Sequence, residues 1–145
     1  MAEEDDDVVL SFYDSLLRKS DVKLLEDSHW LNDNLIAFCF EYFEREQFNH
    51  SADKIALISP DVTQYIKLAP APFGKMKFIE DTENPQQNNG YDCGIYVIAT
   101  AEHMCRELCE GYCIPLKDTV TPSVVKEKRQ QLIDLIHKVA KEFGS

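Results

Sequence analysis

The stretch Asn84-Pro85-Gln86-Gln87-Asn88-Asn89-Gly90 is made of residues that bend a chain, and it runs straight into an apolar pattern that opens at Cys93. Proline presets one backbone angle, asparagine bonds its own backbone and glycine supplies positive φ, so the segment reads as a turn. Beyond it Ile95, Ile98, Ala101 or Glu102, Cys105 and Leu108 recur at helical spacing, and Gly111 supplies a stop. A thiol is thereby set at the first turn of a helix. There the positive end of the macrodipole and the unpaired N–H groups favour the thiolate.

The other elements are equally short-range in their signals. Val8–Phe12 is a β-type run, and Trp30-Leu31-Asn32-Asp33 leads into an apolar helical pattern over 34–48, with Asn32 or Asp33 as its cap. Ser59-Pro60-Asp61 opens a short helix from Val62 to Lys67, and Met76–Ile79 looks like a strand. Between them lies the one proline-rich seam of the chain, Ala69-Pro70-Ala71-Pro72-Phe73-Gly74. Thr121-Pro122 starts a last helix with Leu132, Ile133, Leu135, Ile136, Val139 and Phe143 on one side and lysines opposite.

Composition narrows the setting. With 44% hydrophobic residues, 28% charged and no apolar run near the roughly 20 residues of a membrane span, the chain is expected to be one water-soluble domain. The acidic opening Met1–Asp7 is the reverse of a secretory signal and is expected to be a disordered leader, with a single domain over 8–145 and a cytoplasmic or nuclear location. A net charge of −11 repels phosphate backbones, so neither nucleic acid nor membrane is expected as a partner.

The five cysteines, Cys39, Cys93, Cys105, Cys109 and Cys113, are odd in number and argue against a disulfide framework. Cys105, Cys109 and Cys113 repeat every four residues with His103 nearby. Structural zinc sites instead place four ligands on turns as paired knuckles, so the stripe reads as core packing, and neither metal nor cofactor is expected.

Cys93 is the residue with chemistry around it. Gln87 stands six residues upstream on the same turn, and its side-chain N–H could join the Cys93 backbone N–H in an oxyanion hole for acyl transfer. On spacing alone a structural cysteine at a helix start remains the open alternative.

Gln87-Asn88-Asn89-Gly90-Tyr91-Asp92-Cys93-Gly94 resembles the Q-x-N-G-x-D-C-G nucleophile motif of the ubiquitin-like-protein proteases, the sentrin/SUMO-specific family. Val8–Ser11, Asp14–Arg18, Trp30–Asp33, Phe40–Phe43, Ile58–Lys67 and Tyr96-Val97-Ile98 resemble its deneddylase branch. The resemblance implies an α+β, papain-like cysteine protease, with the Cys93 helix packed on a sheet. It implies Cys93 as nucleophile and Gln87 as oxyanion donor. It also implies Trp30 as a roof over a tunnel for the modifier's C-terminal Gly-Gly, and Asp33 as an acidic position beside that tail. Glycine suits such a tunnel because a backbone without Cβ atoms passes between aromatic walls. The partner implied is a ubiquitin-like modifier, of the Nedd type in preference to SUMO, met by a monomeric enzyme.

In that family the general base is a histidine directly followed by tryptophan on a strand upstream of the nucleophile, and an orienting aspartate follows on the next strand. Trp30 is the only tryptophan here, and the His29 before it lies in the lead-in to a helix. Between Lys67 and Met76 stand only eight residues, too few for two paired strands. The expectation is therefore a domain shortened in its central sheet at the 68–75 seam, with nucleophile present and base absent. His103, ten residues along the Cys93 helix, is too distant to substitute, and His29, His50 and His137 read as ordinary surface or core histidines. An inert binding protein and a non-functional truncated product stay open beside a weak enzyme.

Overall fold

The computed structural model describes residues 6–26, 29–51, 57 and 91–143. Strand β1 (Val8–Phe12) pairs antiparallel with β2 (Ser15–Arg18) through a two-residue turn, with Phe12 opposite Ser15 and Leu10 opposite Leu17. A bulge between Val8 and Leu10 ends the regular register. Alternation decides the faces: Leu10, Phe12, Ser15 and Leu17 point inward and are buried, whereas Leu16 is exposed. Tyr13 in the turn takes a left-handed φ of 51°. Its neighbours hold it there: Glu41 accepts from the Asp14 N–H at 2.8 Å and from the Ser15 hydroxyl at 3.0 Å, and the Arg45 guanidinium lies 4.0 Å over the Tyr13 ring.

One turn of helix, α1 (Lys19–Lys23), follows β2, and its start pins the end of the expected leader. Asp6 accepts from the Ser20 N–H and hydroxyl at 3.0 and 2.6 Å, and Lys19 reaches the Asp7 carboxylate at 2.8 Å. Those bonds, the Ser20 hydroxyl first, hold the Asp6 carboxyl below its ordinary range. Asp6 and Asp7, assigned by sequence to the leader, are thus both bonded to the start of α1.

Helix α2 (Asp33–Tyr42) is capped by Asn32, whose side chain accepts from the Leu35 N–H at 3.1 Å. It continues as a π-helical turn over Phe43–Gln47 and a 3₁₀ turn over Asn49–Ser51. The wider turn brings both Phe43 and Phe48 into the core, ring centroids 6.0 Å apart. Helix α3 (Cys93–Glu110) ends at Gly111 with φ 68°, the left-handed conformation for which glycine is the default residue. A short α4 (Leu116–Thr119) leads to α5 (Pro122–Phe143), whose first turn is closed by the bond from the Val125 N–H to the Thr121 carbonyl at 2.9 Å.

The expected helix starts at Cys93 and at Pro122, the cap before α2 and the stop at Gly111 are all where the sequence puts them. Among the described residues α5 covers β1 and α2 covers β2, while α3 lies against α2 and α5. Phe38 of α2 and Phe143 of α5 meet the Phe12 ring edge-to-face at 5.7 and 5.1 Å, filling the inner side of the hairpin. Leu108, expected on the buried face, is 72% exposed, and His103 at 2% takes a core position instead. The short helix over 62–67, the seam at 68–75 and the strand over 76–79 lie outside the described residues.

Candidate active site

Cys93 is the first residue of α3 and is partly buried. Its predecessor Asp92 stands at the cap position with φ −92° and ψ 7°, yet its side chain makes no capping bond. The carboxylate turns to Arg129 of α5 instead: Oδ1 receives Nε at 3.0 Å and Nη2 at 2.9 Å. The early N–H groups of a helix have no intrahelical acceptor. With Asp92 drawn aside, the end of α3 keeps a positive face toward the thiol and toward any oxyanion formed beside it.

Two features bring the Trp30 segment to this helix start. Gly94 faces Leu31 so closely that a Cβ on Gly94 would lie 2.8 Å from the Leu31 Cβ. Arg129 meanwhile donates to the backbone carbonyls of Leu24 (2.9 Å), Glu26 (3.1 Å), His29 (2.7 Å) and Tyr91 (3.2 Å). Trp30 and Cys93 are therefore each one residue from a direct contact. Trp30 itself is 63% exposed, a large aromatic surface left open on this segment.

Asp33 is exposed at the first position of α2, and of the two cap candidates Asn32 fills the role. Asn32 Nδ2 in turn donates to Asp21 Oδ1 at 2.6 Å, joined there by Asn34 Nδ2 at 3.3 Å, while Asp21 Oδ2 takes the Arg18 N–H at 2.8 Å. The loop carrying Trp30 is thus fixed from both sides. Gln87 lies outside the described residues.

The histidines separate clearly. His103 is enclosed in α3, with Nε2 on Glu107 at 2.9 Å, Nδ1 without a hydrogen-bond partner among the described residues, and the ring against Tyr112 at 5.5 Å. It borders a cavity of about 500 Å³ whose lining does not include Cys93. His50 and His137 are exposed. Only His29 is tied to the Cys93 end, through its carbonyl on Arg129, and its side chain is exposed.

A family model for the Ulp1 protease family, C-terminal catalytic domain, matches residues 62–139, more than half of the chain and including Cys93. The chain belongs to the Ulp1 protease family. Sentrin-specific protease 8 of Rattus norvegicus is 30% identical over 214 positions that cover 97% of this chain and 99% of that protein. Its counterpart in Homo sapiens is 30% identical, with 94% and 100% covered. NEDD8-specific protease 1 of Arabidopsis thaliana is 25% identical, with 97% of each covered. Within the Ulp1 family, these relatives match the deneddylase branch, and the mixture of helices with a small sheet agrees with an α+β ubiquitin-like-protein protease.

The two residues that sequence reasoning missed in this Ulp1-family domain are Asp92 and Arg129. Arg129 had a legible signal: it falls on the apolar stripe of α5 with Val125, Leu132 and Ile136, where a charge must be paired.

Proposed function

We propose that this chain is a deneddylase-type cysteine protease that acts after the C-terminal Gly-Gly of the Nedd ubiquitin-like modifier, with its turnover limited by an incomplete catalytic set. Cys93 is the nucleophile, Gln87 the oxyanion donor, Trp30 the roof of the glycine tunnel and Asp33 an acidic contact beside the tail. The observation that supports the reading is the contact of Leu31 with Gly94, which brings the segment carrying an exposed tryptophan to a helix start that carries a thiol. The name of the Arabidopsis thaliana relative, NEDD8-specific protease 1, supports the Nedd type over SUMO. The chain is proposed to work as a monomer in the cytoplasm or nucleus, as one domain over 8–145.

The shortened central sheet is part of the proposal. An alignment of 214 positions is longer than the chain's own 145 residues, so many positions of that relative stand opposite no residue here, which supports this part of the reading. Loss of a general base costs about 10²–10⁴ in rate. Cysteine tolerates that loss better than serine because a few per cent is thiolate near neutrality. Covalent capture is therefore expected where rapid turnover is not. A chain that binds the modifier without turning it over is the second reading, and the eight-residue seam favours it over an efficient enzyme.

The test is intact-mass analysis of the purified chain mixed with the Nedd modifier bearing a C-terminal electrophile. An adduct is expected with the unaltered chain, none with Cys93→Ala, and less with a SUMO probe. His29→Ala is expected to react like the parent, and a loss of rate there would make His29 the base. No adduct from a chain shown to be folded would leave binding alone.

A further inference from the structure

Among the described residues, the Arg129 guanidinium spends its donors on two segments. Nη1 serves Leu24 and Glu26, Nη2 serves His29, and Nη2 and Nε together serve Tyr91 and Asp92. The first segment runs into Trp30 and the second into Cys93. The side chain is buried, with 5% of the residue exposed. A buried arginine needs one well-placed carboxylate to neutralise it, and Asp92 supplies that. The four carbonyls do something more: they fix where each segment lies relative to the other. Only a planar fork with five N–H groups meets so many acceptors at once, which a lysine ammonium on a flexible stem does not.

The Leu31–Gly94 contact closes the same pair of segments a few residues further along. Trp30 and Cys93 thus project from two strips of backbone joined on one side by Arg129 and on the other by close packing. The gap between them is set from the last helix, far away in sequence.

We propose that Arg129 is the positioning residue of the active site, fixing the spacing between the Trp30 wall and the Cys93 thiol through which a modifier's glycine tail must pass. The proposal rests on the reading of Cys93 and Trp30 given above. It acts through geometry and touches neither substrate nor reacting atoms. A displacement of about 1 Å between a bound reactant and its catalytic group costs on the order of 10²-fold in rate. Removing the fork therefore slows reaction of the threaded tail far more than reaction of the thiol with a small reagent.

The experiment uses the full chain and its Arg129→Lys, Arg129→Met and Asp92→Asn variants. Adduct formation with the electrophile-bearing Nedd modifier is followed over a range of probe concentrations, giving a limiting rate and a half-saturating concentration. Alkylation of Cys93 and of buried Cys39 by iodoacetamide is measured in parallel. In Arg129→Lys the limiting rate is expected to fall at least about tenfold. Half-saturation, Cys93 alkylation and the protection of Cys39 are expected to stay within about twofold. Arg129→Met is expected to show the same split with a larger loss, and Asp92→Asn, which keeps the carbonyl contacts, a smaller one. An unchanged limiting rate in Arg129→Lys overturns the proposal. Where a loss comes with exposure of Cys39, Asp92→Asn decides: a slower limiting rate with Cys39 still protected supports the proposal, and an unchanged one overturns it and marks Arg129 as a fold residue. An unaltered chain that gives no adduct sinks the reading of Cys93 itself, and with it this one.

Discussion

Gly94 and Leu31 leave no space for a methyl group between them: a Cβ on Gly94 would stand 2.8 Å from the Leu31 Cβ and 3.1 Å from its Cγ. The obstacle at Leu31 is the root of a side chain, so the backbone around Trp30 would have to move. Helix propensity favours Gly94→Ala by about 1 kcal/mol. Overpacking against a fixed neighbour costs about 1–3 kcal/mol, and the balance here falls on the side of loss. The variant is expected to melt lower than the parent and to form adduct with the modifier probe more slowly. An unchanged melting temperature would show that the 29–32 loop yields freely.

Much of this architecture was legible in short windows. Asn32 before Leu35, Thr121 before Pro122 and Gly111 after Glu110 are local devices whose physics needs only a few residues, and each does what its type predicts. The place of Cys93 at a helix start was legible for the same reason. What could not be read was partnership across the chain. Asp92 looks like a helix cap from its position, yet it is taken by an arginine 37 residues away. Leu108 belongs by spacing to the buried stripe, but it lies beyond what α2 and α5 cover.

Glu102 and Lys128 form the polar tie between α3 and α5. Burial alone would push the Glu102 carboxyl up, but the Lys128 ammonium at 2.9 Å, its hydrogen bond, the Gln47 amide at 3.0 Å and Arg106 at 3.8 Å together bring it below the ordinary value. The folded value is thus lower than the unfolded one, near 4.3. The stabilisation is present above the unfolded value and is lost as pH falls through the folded one. Acid titration of the melting temperature should show this loss below about pH 4.3, and Glu102→Gln should lack that part of it. Glu102→Ala strands Lys128 and is expected to cost about 3 kcal/mol in urea unfolding.

The cysteines should separate by reactivity. Burial pushes the Cys39 thiol up to about 12 and the Cys105 thiol up to about 11. Neither carries appreciable thiolate at pH 8, and only the thiolate alkylates. Cys113 is exposed beyond the end of α3, and Cys93 is partly accessible. Timed iodoacetamide labelling with peptide mass analysis should find Cys113 and Cys93 modified in the native chain, and Cys39 and Cys105 only after unfolding. Early labelling of Cys39 would contradict the packing of α2 against α3.

Asn32 carries two duties that no other residue type performs together. Its Oδ1 caps α2 on the Leu35 N–H at 3.1 Å, while its Nδ2 donates to the buried Asp21 carboxylate at 2.6 Å. Aspartate caps a helix as well as asparagine does, so by helix rules alone Asn32→Asp is neutral. Here it sets a second carboxylate against Asp21, trading a charge-assisted hydrogen bond for repulsion between like charges. Asn32→Ser keeps an acceptor for the cap and gives up only the long reach to Asp21. Asn32→Asp is therefore expected to destabilise the chain by about 2 kcal/mol and Asn32→Ser by about 1 kcal/mol. Urea unfolding of the two variants at neutral pH measures this, and an Asn32→Asp chain as stable as the parent would refute it.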